Sequence, residues 1–316
     1  MWSYIARKLL YNIPVYLGIL LFLMLALRVN DPVHAFLGKN ATDADILDVR
    51  AKLGLDQAFI YQYFDLLRDV LTLDFSVESW TNEGLRVSDM LKRSVIPSIS
   101  ITVPALVLTS IISISIALIS AFFRGRPIDR TLMVMAVVGM SVSFLVYIIF
   151  GQYWGAYLLT REGSDLFAIG GFEPGLANWP YYCLLPVLIS TFVATGYDTR
   201  FYRAVMVEES SRDYITTAKA KGANRRKVMF VHMLKNALIP IITRIMTTLP
   251  FLIMGSLLLE VYFNIPGMGR VLYKAIQEQD FPVVQIFVAV FAGIFIVSNI
   301  LTDVLYALVD PRVRLS

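Results

Sequence analysis

Cysteine and histidine are scarce in this sequence, which holds one cysteine and two histidines in 316 residues. A lone cysteine, Cys183, rules out an internal disulfide framework and argues against a cysteine metal site. His34 and His232 stand far apart in the sequence and, by the topology that the charges indicate, on opposite sides of a membrane. They are not expected to share a metal ion, and the sequence predicts that the chain itself binds no metal and no cofactor.

Charged residues are also few. Asp, Glu, Lys and Arg make up 16% of the chain and hydrophobic residues 57%, whereas an ordinary soluble domain is about 25% charged and about 45–50% apolar. The mean hydropathy is +0.65. These values place the chain among multispanning membrane proteins, in contact with lipid. The net charge of +4 does not indicate a nucleic-acid partner, because the basic residues gather on one side of the predicted membrane topology.

The sequence has no phosphate-binding loop of the form GxxxxGKS or GxxxxGKT. Its nearest glycine pair, Gly267 and Gly269, falls in a segment predicted to lie outside the membrane. No nucleophile stands near a candidate base, and the serines Ser113, Ser115 and Ser120 occupy an apolar run, where small hydroxyls usually serve helix packing. We therefore predict that the chain is not an enzyme and does not itself hydrolyse ATP.

Six apolar runs are long enough to cross a membrane, which takes about 20 residues. The first has no small-residue cleavage site and is longer than a signal-peptide core, so we expect it to be retained. An even number of crossings puts both termini on one side. The sequence predicts an all-α polytopic fold with six transmembrane helices. The predicted spans are 9–27, 97–123, 131–150, 181–197, 237–261 and 283–309.

Basic and acidic residues separate between the two sides of this bundle. The region 30–95 carries eleven acids against seven bases and lies opposite the termini, with 161–179 and 264–281. Loops rich in Lys and Arg stay in the cytoplasm, so both termini are predicted to be cytoplasmic. The basic segments on the side of the termini are 7–8, 124–130, 200–235 and 312–314.

The chain divides into three regions on this reading. A tail and first span occupy 1–29, an extracytoplasmic region 30–95, and a five-helix core 96–316. Within the second region, 41–53 and 58–73 have apolar positions at helical spacing and predict two short helices outside the membrane. Two compatible roles are open for these helices, packing on the outer mouth of the bundle or forming a docking ledge for a binding protein.

The segment 207–236, between the fourth and fifth spans, is too polar to cross a bilayer. Ser210, with Asp213 three residues on, is typical of a capping box. Gly222 can end the helix in a left-handed conformation, and Asn224 can cap a second helix. The sequence predicts helix, break and helix in the cytoplasm. Such a segment can set topology by charge alone, or can insert a short helix into the groove of a partner.

Residues 217–222, reading TAKAKG, followed by NALIP at 236–240, resemble the cytoplasmic loop of binding-protein-dependent ABC importer permeases. The similarity is greatest to the oligopeptide, dipeptide and nickel subfamily, which typically lacks the Glu that stricter patterns place at Thr216. The resemblance covers essentially the whole chain, with departures at Asn30, Leu73 and Ser76, where the subfamily has glycine. Other similar stretches are 30–32, 52–56, 62–63, 73–76, 260–263, 266–269 and 305–312.

This resemblance implies a type I ABC importer permease in a bacterial inner membrane. It further implies a homologous second permease, two ATPase subunits that carry ATP and Mg, and an extracytoplasmic substrate-binding protein. The implied cargo is a dipeptide or oligopeptide, with nickel or an oligosaccharide as alternatives. A different class, the self-sufficient secondary carrier, would need an intramembrane acid or histidine relay and usually an internal repeat, and the sequence shows neither clearly.

Two groups of residues are candidates for this work. The first is an extracytoplasmic gate or a hydrogen-bonded anchor of a turn, formed by Glu260, Pro266, Gly267 and Gly269. The second is a cytoplasmic contact with an ATPase subunit. Arg225, Arg226 and Lys227 are instead expected to serve topology or the electrostatics of the rim. The predicted contact residues are Asp213, Tyr214, Thr217, Ala218, Ala220, Gly222 and Ala223. Asp198 and Asp303 are expected to form ion pairs at the inner rim.

Overall fold

The computed structural model describes residues 2–29, 33, 37, 43–82, 84–248 and 256–309, and most of these are helical. Two helices contain a π-helical stretch, Tyr153–Tyr157 and Val228–Met233. In chain order the helices are α1 (Trp2–Leu27), α2 (Asp43–Lys52), α3 (Phe59–Thr72), α4 (Val87–Phe122), α5 (Pro127–Ser141), α6 (Phe144–Arg161), α7 (Trp179–Glu209), α8 (Asp213–Ala220), α9 (Arg225–Met246), α10 (Leu257–Tyr262), α11 (Met268–Gln277) and α12 (Phe281–Val309).

Five of these helices, α1, α4, α7, α9 and α12, are long and apolar enough to cross a membrane, and α5 with α6 forms a pair bent by 88°. Contacts at its two ends show that the pair makes one crossing. Asp129 in the first turn of α5 accepts a hydrogen bond (2.5 Å) from Ser120 at the end of α4. The side chain of Trp179, the first residue of α7, donates to the carbonyl of Ser100 (2.8 Å) in the first half of α4. The chain therefore runs from one end of the bundle to the other between α5 and α7, and the all-α polytopic prediction is confirmed.

The structure corrects several predicted boundaries. The third span is wrong as a single helix over 131–150, because it is broken at Val142 and Ser143. The second span begins at Val87 rather than 97, since Val87 and Leu91 pack against α12. The fifth is helical from Arg225 rather than 237, and its predicted part over 249–255 lies outside the described residues, as do the similar stretch 30–32 and His34.

The two predicted outer helices are confirmed as α2 and α3. α3 packs along α1 and α12, with Leu66 buried against Leu20 and Ala289. The hydroxyl of Tyr63 donates to the carbonyl of Leu17 (3.0 Å) in α1. This geometry supports packing of α3 on the chain's own bundle, and leaves docking of a binding protein as a prediction.

Two clusters of buried side chains hold the crossings together. The outer cluster joins α4, α6, α7 and α10 and includes Ile101, Ile148 and Leu259. The inner cluster joins α4, α7, α8 and α9 and includes Tyr202 and Ile241. Lipid tails are as apolar as these side chains, so within the membrane the clusters stabilise the bundle by close packing more than by exclusion of water.

Candidate coupling helix and extracytoplasmic turn

The polar segment after α7 forms the predicted helix, break and helix. α8 ends at Ala220, and Gly222 has φ +81, the left-handed conformation that glycine adopts most readily. The Asn224 side chain accepts a hydrogen bond from the backbone N–H of Lys227 (2.8 Å), which caps α9 as predicted. Both of these sequence signals are confirmed.

The predicted capping box at the start of α8 is wrong. The hydroxyl of Ser210 donates to the carbonyl of Val207 (2.6 Å), so it closes the last turn of α7. The N-cap of α8 is Arg212, which makes no side-chain capping bond. The reason is that α7 continues as helix to Glu209, which leaves Ser210 inside the turn that joins the two helices.

One face of α8 is built into the membrane bundle. Ile215 is 2% exposed and Ala218 is 8% exposed, and both belong to the inner cluster with Ala117 of α4 and Met206 of α7. Val228 of α9 lies in the same cluster. α8 therefore shares one packed cluster with three membrane-crossing helices, and a displacement of α8 must disturb that cluster.

The opposite face of α8 is open. The predicted contact residues lie on both faces of α8. The helical periodicity of the sequence could not show which of these faces packs against the bundle. The side chain of Ala218 is buried against the bundle, so it is not exposed for the predicted contact with an ATPase. Tyr214 and Ala223 are half-buried. The exposed members of the predicted set are Asp213, Thr217, Ala220 and Gly222.

Tyr214 fixes the junction between α7 and α8. Its hydroxyl donates a hydrogen bond to the carboxylate of Glu209 at the end of α7. Burial, together with this hydrogen bond, raises the pKa of Tyr214 to about 12. The phenol therefore stays protonated, and a donor, throughout the physiological range. Tyr214 thus serves the junction more directly than it serves an external contact.

A buried ion pair at the same end of the bundle was not found from the sequence. Asp129 of α5 is 3% exposed and accepts two hydrogen bonds from Arg203 of α7, at 2.7 and 2.8 Å. Ser120 of α4 and the backbone N–H of Gly125 (2.9 Å) donate to the same carboxylate. The available signal was that Asp129 is the sole acid in the basic turn 124–130. One carboxylate thus joins three crossings.

The predicted ion pairs of the inner rim are present. Arg244 lies 3.4 Å from Asp198 and links α9 to α7. Lys8 and the hydroxyl of Tyr4 (2.9 Å) both contact Asp303, linking α1 to α12. Both expectations are confirmed, and each pair joins two helices that cross the membrane.

At the other end of the bundle, Glu260 organises a turn. Its side chain is fully buried and accepts hydrogen bonds from the hydroxyl of Ser98 (2.6 Å) and from the backbone N–H of Arg270 (3.0 Å). The Ser98 hydroxyl in turn accepts from the N–H of Met268 (2.8 Å). A Cβ added to Gly267 would lie 2.3 Å from the carboxyl carbon of Glu260. The arrangement is that of an anchor between α4, α10 and α11.

The neighbouring glycine is needed for a similar reason, whereas Pro266 is exposed. A Cβ on Gly269 would lie 3.0 Å from the Cα of Leu257.

A second buried acid that sequence reasoning missed, Asp280, accepts hydrogen bonds from Ser79 (2.5 Å) and Thr81 (2.7 Å). It ties the loop before α4 to the start of α12. Among the residues that the structure describes, no group of three His, Cys, Asp or Glu side chains could hold a metal ion.

Comparison with known proteins agrees with this architecture. The chain matches the family described as binding-protein-dependent transport system inner membrane component over residues 113–315, and the N-terminal domain of that membrane component over 1–109. A solved structure, the MetNI methionine ABC transporter in inward-facing conformations, matches with a TM-score of 0.53. The match covers 71% of this chain and 97% of that one at 14% identity, and it shows the shared fold.

Two relatives match over nearly their whole lengths. One is the probable peptide ABC transporter permease protein y4tP of Sinorhizobium fredii, 32% identical over 99% of this chain and 100% of its own. Another is the glutathione transport system permease protein GsiC of Escherichia coli, 32% identical over 99% of both chains. With six apolar crossings and an all-helical bundle of the same fold, this multi-pass membrane chain belongs to the family of binding-protein-dependent ABC importer permeases.

Proposed function

We propose that the chain imports peptide-like cargo as one permease of a four-subunit membrane assembly. It pairs with a homologous second permease in the bacterial inner membrane, with both termini in the cytoplasm. Two ATPase subunits bind ATP and Mg, and an extracytoplasmic binding protein delivers the cargo. The names of two relatives, which speak of peptide and glutathione, support this cargo class, and the charge asymmetry of the loops supports the orientation.

The construction of α8 carries the proposal. Its inner face, with Ile215 and Ala218, is part of the inner cluster, while Thr217 and Ala220 stand exposed on the other side. A short helix that packs into the bundle on one face and is exposed on the other can receive force from a neighbouring subunit. Since this chain has no phosphate-binding loop, we place ATP hydrolysis on that neighbour.

The route of the force from α8 passes through helices that are fastened to one another. α8 shares the inner cluster with α4, α7 and α9. The carboxylate of Asp129 joins α4 and α7 to α5. Pushing α8 therefore moves a block of crossings rather than one helix. Rigid-body motion of this kind is a common way to open a cavity alternately to the two sides of a membrane.

For the extracytoplasmic turn we propose the anchoring role rather than the gate. The carboxylate of Glu260 accepts hydrogen bonds from the Ser98 hydroxyl and the Arg270 backbone N–H, so it holds α10 and α11 against α4. Gly267 and Gly269 let the backbone approach this carboxylate. The turn then fixes the outer mouth of the bundle while the inner half moves.

The proposal is tested by peptide uptake into proteoliposomes that contain the full assembly. Gly222→Val forces a β-branched residue into φ +81, which such residues resist. Gly222→Asn is the matched control, because Asn tolerates this conformation. We expect uptake and peptide-stimulated ATP hydrolysis to be lost with Val and largely kept with Asn, with equal membrane insertion.

Two outcomes would contradict the proposed function. One is that the Val variant couples ATP hydrolysis to uptake as well as the wild-type chain does. The other is that the purified chain alone carries peptide into liposomes without ATP, which would indicate a secondary carrier.

A further inference from the structure

The third crossing is interrupted between α5 and α6. Val142 (φ −91, ψ 139) and Ser143 (φ −58, ψ 138) are extended, and the helices on either side meet at 88°. Neither proline nor glycine causes the break, since residues 141–143 read Ser-Val-Ser. The backbone groups next to the break have no partners within their own helices and need others.

The break lies level with the middle of the bundle. It sits beside Ser190 and Ala194, which are central in the 31-residue helix α7. On the inner side of the break α5 packs against Gly196, where an added Cβ would lie 2.9 Å from the carbonyl oxygen of Ala136. On the outer side α6 packs along the outer half of α7. The non-helical backbone is therefore near the centre of the membrane.

An open groove of about 550 Å³ surrounds the break. Its lining is mixed, with apolar side chains beside serine and tyrosine residues, and it includes no charged side chain among the described residues. Its polar lining residues are Ser141, Ser143, Ser190 and Tyr197, and its larger apolar ones are Met140, Phe144 and Val193.

The two helix ends at the break differ in their hydrogen-bond partners. Carbonyls at the end of α5 have partners, since Tyr147 donates to Gly139 (2.9 Å) and Tyr197 donates to Met140 (3.3 Å). At the start of α6 the Ser143 side chain makes no capping bond. Lipid cannot hydrogen-bond to backbone groups, and irregular backbone at membrane depth is found where protein covers it or where it lines a water-filled cavity.

We propose that this groove lines the aqueous route of the cargo through the membrane. Ser143 and Ser190 are the groups that hydrogen-bond to the polar main chain of a peptide-like molecule. This inference rests on the proposed function. A hollow of about 550 Å³ has the size of a ligand site, whereas a contact with a partner helix would bring backbones close together through small residues. The uncharged lining suits cargo whose side chains vary.

The test is cysteine accessibility in the full assembly, in lipid nanodiscs. Ser143→Cys and Ser190→Cys are treated with a membrane-impermeant thiosulfonate reagent, with and without trapped ATP on the ATPase subunits. Cys183 is fully buried, so the wild-type chain is the unlabelled control. Val138→Cys, on an exposed apolar position of α5, is the matched control for lipid contact. Only a hydrated thiol ionises and reacts readily, so we expect both serine variants to react at least roughly tenfold faster than the control.

We also expect the reaction rate to differ between the two nucleotide states and labelling to block uptake. Equal, slow labelling of Ser143→Cys, Ser190→Cys and Val138→Cys in both states would overturn the inference and leave a partner helix as the occupant. If that happens while the unlabelled variants still take up peptide, the proposed function stands. Failure of the wild-type assembly to couple ATP to peptide uptake would instead remove the proposed function.

Discussion

Gly267 occupies a position that no other residue fits without a shift of its surroundings. The carboxylate of Glu260 occupies the space that a Cβ at this position would need, and a hydrogen bond from Ser98 holds that carboxylate in place. A glycine pair near an acid was visible in the sequence, but its meaning was not, because either a gate or an anchor could use it. The short distance between the two groups supports the anchoring role that we propose.

We expect Gly267→Ala to destabilise the chain by about 1–3 kcal/mol, the usual cost of forcing a methyl group into a packed site. The matched control is Gly293→Ala in α12, where an added Cβ meets nothing within 4 Å. Alanine in a helix interior is favoured over glycine, so this control should keep or slightly raise the melting temperature in detergent. Equal melting temperatures for the two variants would show that the turn is looser than the contacts indicate.

In the loop after α7, the sequence predicted the local structure correctly at positions where a single residue type determines the backbone geometry. Gly222 and Asn224 are examples, since a left-handed turn and a side-chain cap depend on residue type. Ser210 is a counter-example, because its role depends on how far α7 continues. Which face of α8 the bundle covers was likewise not visible in the sequence, because contacts distant in sequence determine it.

At the scale of helices, the ion pair of Asp129 and Arg203 joins α5 to α7, and Ser120 of α4 donates to the same carboxylate. Breaking a buried ion pair from one side leaves the other charge unpaired, whereas replacing both partners by apolar groups often costs little. We expect Asp129→Ala to lower the stability by roughly 3 kcal/mol. Arg203→Met added to this variant should restore part of the loss, as measured by melting temperature in detergent.

The control for this prediction is an exposed pair of the same kind. Asp48 and Lys52 lie 2.7 Å apart on α2, and both are largely exposed. Surface pairs contribute about 0–1 kcal/mol, so Asp48→Ala should change the melting temperature little. A double variant at positions 129 and 203 that is less stable than Asp129→Ala would show that the two side chains do not act as a pair.

The break between α5 and α6 could not be predicted from the sequence. Its residues Ser141, Val142 and Ser143 include no proline or glycine, and the apolar run continues on both sides of them. The bend is stabilised by Tyr147 and Tyr197, whose hydroxyls supply partners for the carbonyls at the end of α5. One of these tyrosines is in α7, so the bend depends on tertiary contacts.

At the scale of the whole molecule, composition and apolar run length were sufficient for the fold class. A chain of 57% hydrophobic residues can satisfy its backbone in lipid only through helices or a closed barrel, and runs of helical length select the former. Boundaries were less predictable, because α4 and α9 continue as helices beyond their apolar runs into polar sequence. Hydropathy measures where lipid ends, and the helix does not have to end there.

The central claim, that the exposed face of α8 receives force from an ATPase, is tested most directly by cross-linking in the assembled transporter. Thr217→Cys lies on the exposed face, and Ile215→Cys, on the buried face, is its control. With a short thiol-to-amine cross-linker added from the cytoplasmic side, we expect Thr217→Cys to join an ATPase subunit, with a yield that changes on ATP binding, and Ile215→Cys not to. A Thr217→Cys variant that joins no ATPase subunit in any nucleotide state, or that reacts only from the extracytoplasmic side, would contradict the account.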